Sequence, residues 1–229
     1  MLQKILTYSH ILAGILSLVV APIAMAVSKG GRVHRLSGKI FFWAMTWIFI
    51  TAVILSAYYK WIPFLLMVSV LSYYLTVSGY RTLYQKQLSS GKGVLWYDWL
   101  AVIATGLFML GFAVWGINLW MNNQASGSVF LILGFSIGGL LSVRGELKAF
   151  IKPPLDKNRW LFKHIGRMIG AFIASVTAFS VNVLTFIPGI WPWIWPTLIG
   201  TPLIVYWVRM YKKKLTEGVR ISELVELKR

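Results

Sequence analysis

Seven apolar runs, each about the 20 residues that a helix needs to cross a hydrocarbon core, constrain this chain more than any other feature in it. Lipid offers backbone N–H and C=O groups no partners, so each run must close its own hydrogen bonds as a helix. Strands are a poor alternative, because no segment alternates polar and apolar residues. With 58% hydrophobic and only 13% charged residues in 229 positions, the bilayer is the expected solvent. The pattern predicts an all-α, seven-helix transmembrane bundle, with helices at about 5–28, 37–59, 62–83, 96–121, 127–147, 163–187 and 193–211. Residues 1–211 would form the membrane domain and 212–229 a basic tail. Pro63 is tolerated in a first helical turn and so marks a helix start. The segment from Phe186 to Pro196, rich in proline and tryptophan, reads as an interfacial turn.

Charge fixes an orientation for these helices. Of the 23 lysines and arginines, all but Lys4 and Lys60 fall in the loops after helices one, three and five or in the tail. Those segments share one side, which the positive-inside rule assigns to the cytoplasm. The amino terminus and the Asn122 to Ser128 loop are then outside, the carboxyl terminus inside, and the expected location is a bacterial inner membrane. A net charge of +17 is also the balance of a nucleic-acid binder, yet no nucleic-acid module is present and the basic clusters hug helix ends. Anionic lipid head groups at the cytoplasmic face are the expected partners. Ala24, Met25 and Ala26 form an A-x-A pattern like that of a signal peptide. The basic loop that follows, and the topology's need for the first helix, argue that it stays uncleaved.

The chain has no cysteine, which excludes disulfides, thiolate metal sites, iron–sulfur clusters and cysteine nucleophiles. No Gly-rich phosphate loop, G-x-S-x-G elbow or H-E-x-x-H motif occurs. The functional candidates are therefore the few ionisable residues beside the spans, each of which is costly there unless partnered. His34 precedes the second helix, Asp98 begins the fourth, Glu146 ends the fifth and His164 begins the sixth. The topology brings these to the cytoplasmic end, with Arg35 and Arg167 at the same depth. His10 stands apart, about 20 Å toward the other face at 1.5 Å per residue.

Two readings of this cluster stand side by side. Asp98 and Glu146 neutralise arginines such as Arg81, Arg144 or Arg167, and the histidines bond to carbonyls. Alternatively, neutral imidazole and carboxylate hold zinc, iron or manganese, with His34 and His164 as ligands. Haem b adds a third arrangement. Gly14 and Gly38 lie four residues after His10 and His34, on the same helical face, where a flat macrocycle needs bare backbone. Small residues serve equally for close helix packing. In the sixth helix, Ser175, Thr177, Ser180, Asn182 and Thr185 are either a polar track or side chains satisfied on the carbonyl one turn back.

The stretch His10-Ile-Leu-Ala-Gly14, then Gly30-Gly31-Arg32-Val33-His34-Arg35-Leu36-Ser37-Gly38, and His164-Ile165-Gly166-Arg167-Met168-Ile169-Gly170 resemble a bacterial family of multi-pass membrane proteins classed as a domain of unknown function. The resemblance covers helices one to six and implies no activity; it marks His10, His34, Arg35 and His164 as the positions to probe. More distantly the chain resembles b-type cytochromes and ferric-reductase-like membrane proteins, but three histidines cannot supply two bis-histidine haems. The paired H-x-x-x-H of zinc membrane hydrolases is absent. Three functions are expected from these residues. They are a non-enzymatic assembly partner, sensor or small transporter; a haem- or metal-binding redox protein with Arg35 or Arg167 on the propionates; and a metal-assisted hydrolase with Asp98 or Glu146 as base.

Overall fold

The computed structural model describes residues 1–123 and 126–226. Gln124 and Ala125 of the predicted external loop, and Leu227, Lys228 and Arg229 of the predicted tail, lie outside them. The described residues form eight α-helices and no strand: α1 Leu2–Ala26, α2 Arg32–Tyr58, α3 Pro63–Arg81, α4 Trp96–Met121, α5 Gly127–Ile151, α6 Arg159–Val183, α7 Trp191–Thr216 and the short α8 Ile221–Leu224. Two 3-10 turns, Thr82–Tyr84 and Leu88–Ser90, follow α3. The chain is all-α, and six helices, α1 to α6, are long and apolar enough to cross a membrane. In α7, four tryptophans and three prolines dilute the aliphatic residues, so its length of 26 residues is not matched by its hydropathy.

Local chemistry sets the boundaries. Gly30, at φ +78°, turns the chain, and Gly31 caps α2 so that His34 and Arg35 fall in its first turn rather than before it. Apolar counting starts a helix at its first hydrophobic residue, whereas the hydrogen-bonded turn begins with the polar residues before it. The same effect moves the start of α6 to Arg159, so His164 sits in its second turn. Pro63 occupies the first turn of α3, where no N–H is required. The Phe186 to Pro196 segment divides: its first part is a turn, and from Trp191 it is helical with Pro192 in the first turn. α7 continues to Thr216, making the first five residues of the predicted tail helical, and Gly218 at φ +91° follows.

The helices turn large apolar side chains outward. Leu12, Trp43 and Leu107 are each about two-thirds exposed, while Ser17, Thr51, Ser136 and Ser180 are buried. That inversion suits a hydrocarbon solvent, since water would penalise apolar faces of this extent.

The chain separates into two compact units, one of residues 62–164 and one of residues 1–61 with 165–229. In the contiguous unit, α4 and α5 pack closely because Gly116 leaves room for Ile132 and Leu133, and Gly139 for Met109. Tyr74, Val102 and Val143 form its core beside Leu71 and Phe150. In the discontinuous unit, α1 and α2 form an antiparallel hairpin. Ser175 Oγ of α6 lies 3.2 Å from Met45 Sδ of α2. Trp195 Nε1 of α7 donates to Ser180 Oγ at 2.7 Å, and Gly200 of α7 accepts Ile173 against its bare backbone. The chain beyond α8 returns to the α1–α2 loop, where the Glu226 N–H donates to the Lys29 carbonyl at 2.8 Å. A cavity of about 440 Å³ opens there beside Trp207, Tyr211 and Glu223.

Candidate functional site

In the contiguous unit, the end of α3, the start of α4, the end of α5 and the start of α6 carry the ionisable groups. Asp98 is the third residue of α4, and its Oδ2 accepts the Leu95 N–H at 2.9 Å, closing the first turn. The same carboxylate receives both Arg81 Nε and Nη2 at 2.8 Å, a bidentate pair with side chains 13% and 4% exposed. Arg81 also donates to the Gly93 carbonyl at 3.2 Å and lies over the rings of Tyr97 and Tyr84. Glu146, 2% exposed, is paired with Lys163. His164 Nδ1 donates to the Gly79 carbonyl at 2.9 Å.

In the discontinuous unit, His34 Nδ1 donates to the Ala24 carbonyl at 2.9 Å, tying the first turn of α2 to the end of α1. Arg35 caps its own turn by donating to the Gly30 carbonyl, and Arg167 is buried. Lys29 donates to carbonyls at the end of α1, including Met25 and Val27, and burial pulls its ammonium below the ordinary lysine pKa. His10 Nδ1 meets Thr51 Oγ1 at 2.8 Å, across the hairpin and well inside both helices.

The proton on two of the three rings follows from these partners. A carbonyl only accepts, so His34 and His164 hold their proton on Nδ1 when neutral, and Nε2 carries the lone pair. At His10 the partner is a hydroxyl, but Thr51 Oγ1 lies 2.7 Å from the Trp47 carbonyl and 3.0 Å from the Ile48 carbonyl. Its one proton serves Trp47, Ile48 or His10, so the contact fixes no tautomer for His10. His34 and His164 share the tautomer that second-shell carbonyls impose on metal-ligating imidazole.

Compared with family models, curated proteins and solved structures, the chain matches none. Its function has to be read from the site itself.

The structure gives each predicted residue a place. Asp98 pairs with Arg81, as the neutralising reading expects. Glu146 pairs with Lys163, which that reading did not name. Among the described residues, no three of His, Asp or Glu gather as ligands for a metal ion. Along α6, Ser175, Thr177 and Asn182 donate to the carbonyls of Ala171, Ile173 and Ala178 one turn back. Thr51, Lys163 and the Gly79 carbonyl are bonding partners of the candidate residues that sequence reasoning missed. A hydroxyl amid the apolar run of α2 was the available sign of Thr51; nothing local marks the other two.

Proposed function

We propose that this is a seven-helix protein of a bacterial inner membrane, with its amino terminus outside and its carboxyl terminus in the cytoplasm. It binds haem through a histidine and is not a hydrolase: an assembly partner, sensor or redox carrier. One observation carries the reading. His34 and His164 each donate Nδ1–H to a backbone carbonyl, which orients the ring in the tautomer of a ligating imidazole. The hydrolase alternative loses support because both carboxylates beside the spans are engaged in ion pairs. A general base needs a lone pair directed at water, and those of Asp98 and Glu146 face Arg81, the Leu95 N–H and Lys163.

The test is the absorption spectrum and elemental content of the purified full chain. A Soret band with iron, weakened by substitution of a histidine, is the expected result. Protein prepared with haem supplied, yet containing none, overturns the reading.

A further inference from the structure

Residues 221–226 are tied to the α1–α2 loop of their own unit. The Glu226 N–H donates to the Lys29 carbonyl at 2.8 Å, and Ser28 Oγ donates to Glu226 Oε1 at 3.1 Å. Gly30 makes the approach possible, because an added Cβ there would collide with the Glu226 carbonyl and stand 2.9 Å from Val225 Cγ1. Its φ of +78° also favours glycine. The strap so seated, the α1–α2 loop and the end of α7 together wall the cavity of about 440 Å³. That volume lies within the range of about 300–1,000 Å³ usual for small-molecule sites. None of the three histidines lines it.

The lining holds polar groups with nothing to satisfy them. Tyr211 reaches the cavity from α7 and is only 8% exposed, yet its hydroxyl has no hydrogen-bond partner among the described residues. A buried phenol ordinarily finds one. The strap brings Glu223 and Glu226 to the same cavity. Asp98, Glu146 and Glu217 each pair with a cation, as a net charge of +17 makes easy. Glu223 and Glu226 pair with none among the described residues. Lys29 lines the cavity too, but its ammonium is spent on the Met25 and Val27 carbonyls, where it caps α1. It leaves both carboxylates uncompensated.

We propose that this cavity binds a primary ammonium group, carried by an aminophospholipid head group or by a free small amine. Such a group has one positive charge and three N–H donors. Glu223 and Glu226 supply the opposite charge and two acceptors, and the Tyr211 hydroxyl supplies the third. Charge-assisted bonds of this kind are the strong ones. An anion would meet two carboxylates, and a neutral ligand would leave their charge unmatched. α1, long and apolar enough to span, ends at Ala26 beside the cavity, which sets the site at the level of lipid head groups.

The experiment offers the purified full chain, in detergent, short-chain phosphatidylethanolamine, phosphatidylcholine and phosphatidylglycerol, with free ethanolamine as a competitor. Binding is counted by native mass spectrometry. Phosphatidylethanolamine should bind saturably and about tenfold or more tighter than phosphatidylcholine, whose methylated nitrogen keeps the charge but has no N–H. Glu223→Gln and Glu226→Gln keep the size of exposed side chains, so the unfolding temperature should stay near the parent's. Each should weaken binding roughly tenfold, as expected for loss of a hydrogen bond to a charged group, and Tyr211→Phe should weaken it less. Ethanolamine that competes, with the same dependence on Glu223, shows that the site takes soluble amines. Ethanolamine that does not compete, while the lipid still binds, assigns the site to the head group. Phosphatidylcholine or phosphatidylglycerol binding as tightly as phosphatidylethanolamine overturns the proposal. So does unchanged affinity when Glu223 and Glu226 are both replaced by glutamine, or binding of neither phosphatidylethanolamine nor ethanolamine. Haem content enters none of these measurements, so their failure leaves the histidine reading standing.

Discussion

The Arg81–Asp98 pair shows what an ionisable group near a membrane span requires in order to be retained. Asp98 accepts two guanidinium bonds and a helix-capping N–H, and Arg81 adds a carbonyl and two aromatic faces, so neither charge is left bare. Removing one partner strands the other. Asp98→Ala should therefore destabilise the protein by about 3–5 kcal/mol, measured by unfolding in detergent. Arg81→Lys keeps the charge but loses the fork, and should fall between parent and Asp98→Ala. Glu146 and Lys163 follow the same logic. The double variant Glu146→Gln with Lys163→Met should be more stable than the sum of the two single losses predicts, and simple additivity would deny the pair. Asp98 was legible in the sequence because a carboxylate three residues into a helix has one common use. The bond between Glu146 and Lys163, and that between His10 and Thr51, were not, since pairing across helices depends on rotation and register that composition does not carry.

Helix existence was legible nearly throughout, because a lipid solvent leaves an apolar run no other conformation. Helix ends were not, as α2 and α6 show by beginning several residues earlier than their hydrophobic runs. α7 is the more instructive case. Its tryptophans and prolines weaken it by hydropathy, yet it packs through Gly200 on Ile173 and through Trp195 on Ser180. The Gly200 contact meets the side-chain branch of Ile173, which has little room to move. Gly200→Leu should cost about 1–3 kcal/mol or more by overpacking, and Ile173→Ala in the same chain should recover part of it. If Gly200→Leu leaves the unfolding temperature unchanged, α7 does not dock as described.

Orientation is open to a clean measurement because the chain has no cysteine, so any introduced thiol is unique. Ser126→Cys should react with an impermeant maleimide on intact spheroplasts, and Ser222→Cys only after permeabilisation. The reverse pattern would invert the topology and remove the cytoplasmic assignment of His34 and His164. What no sequence pattern announced is the division into a contiguous and an interrupted unit. Its consequence lies in biosynthesis. α1 and α2 leave the ribosome together, but α6 and α7 of the same unit are separated from them by residues 62–164. At roughly 5–20 residues per second, that interval lasts on the order of 5–20 s. Throughout it the first hairpin stands in the membrane without its later partners, tied across by the His10–Thr51 bond. Met45, which Ser175 meets in the finished unit, faces lipid or an insertion partner until α6 is made, so the first hairpin has to hold its shape as a separate piece before it has its final neighbours.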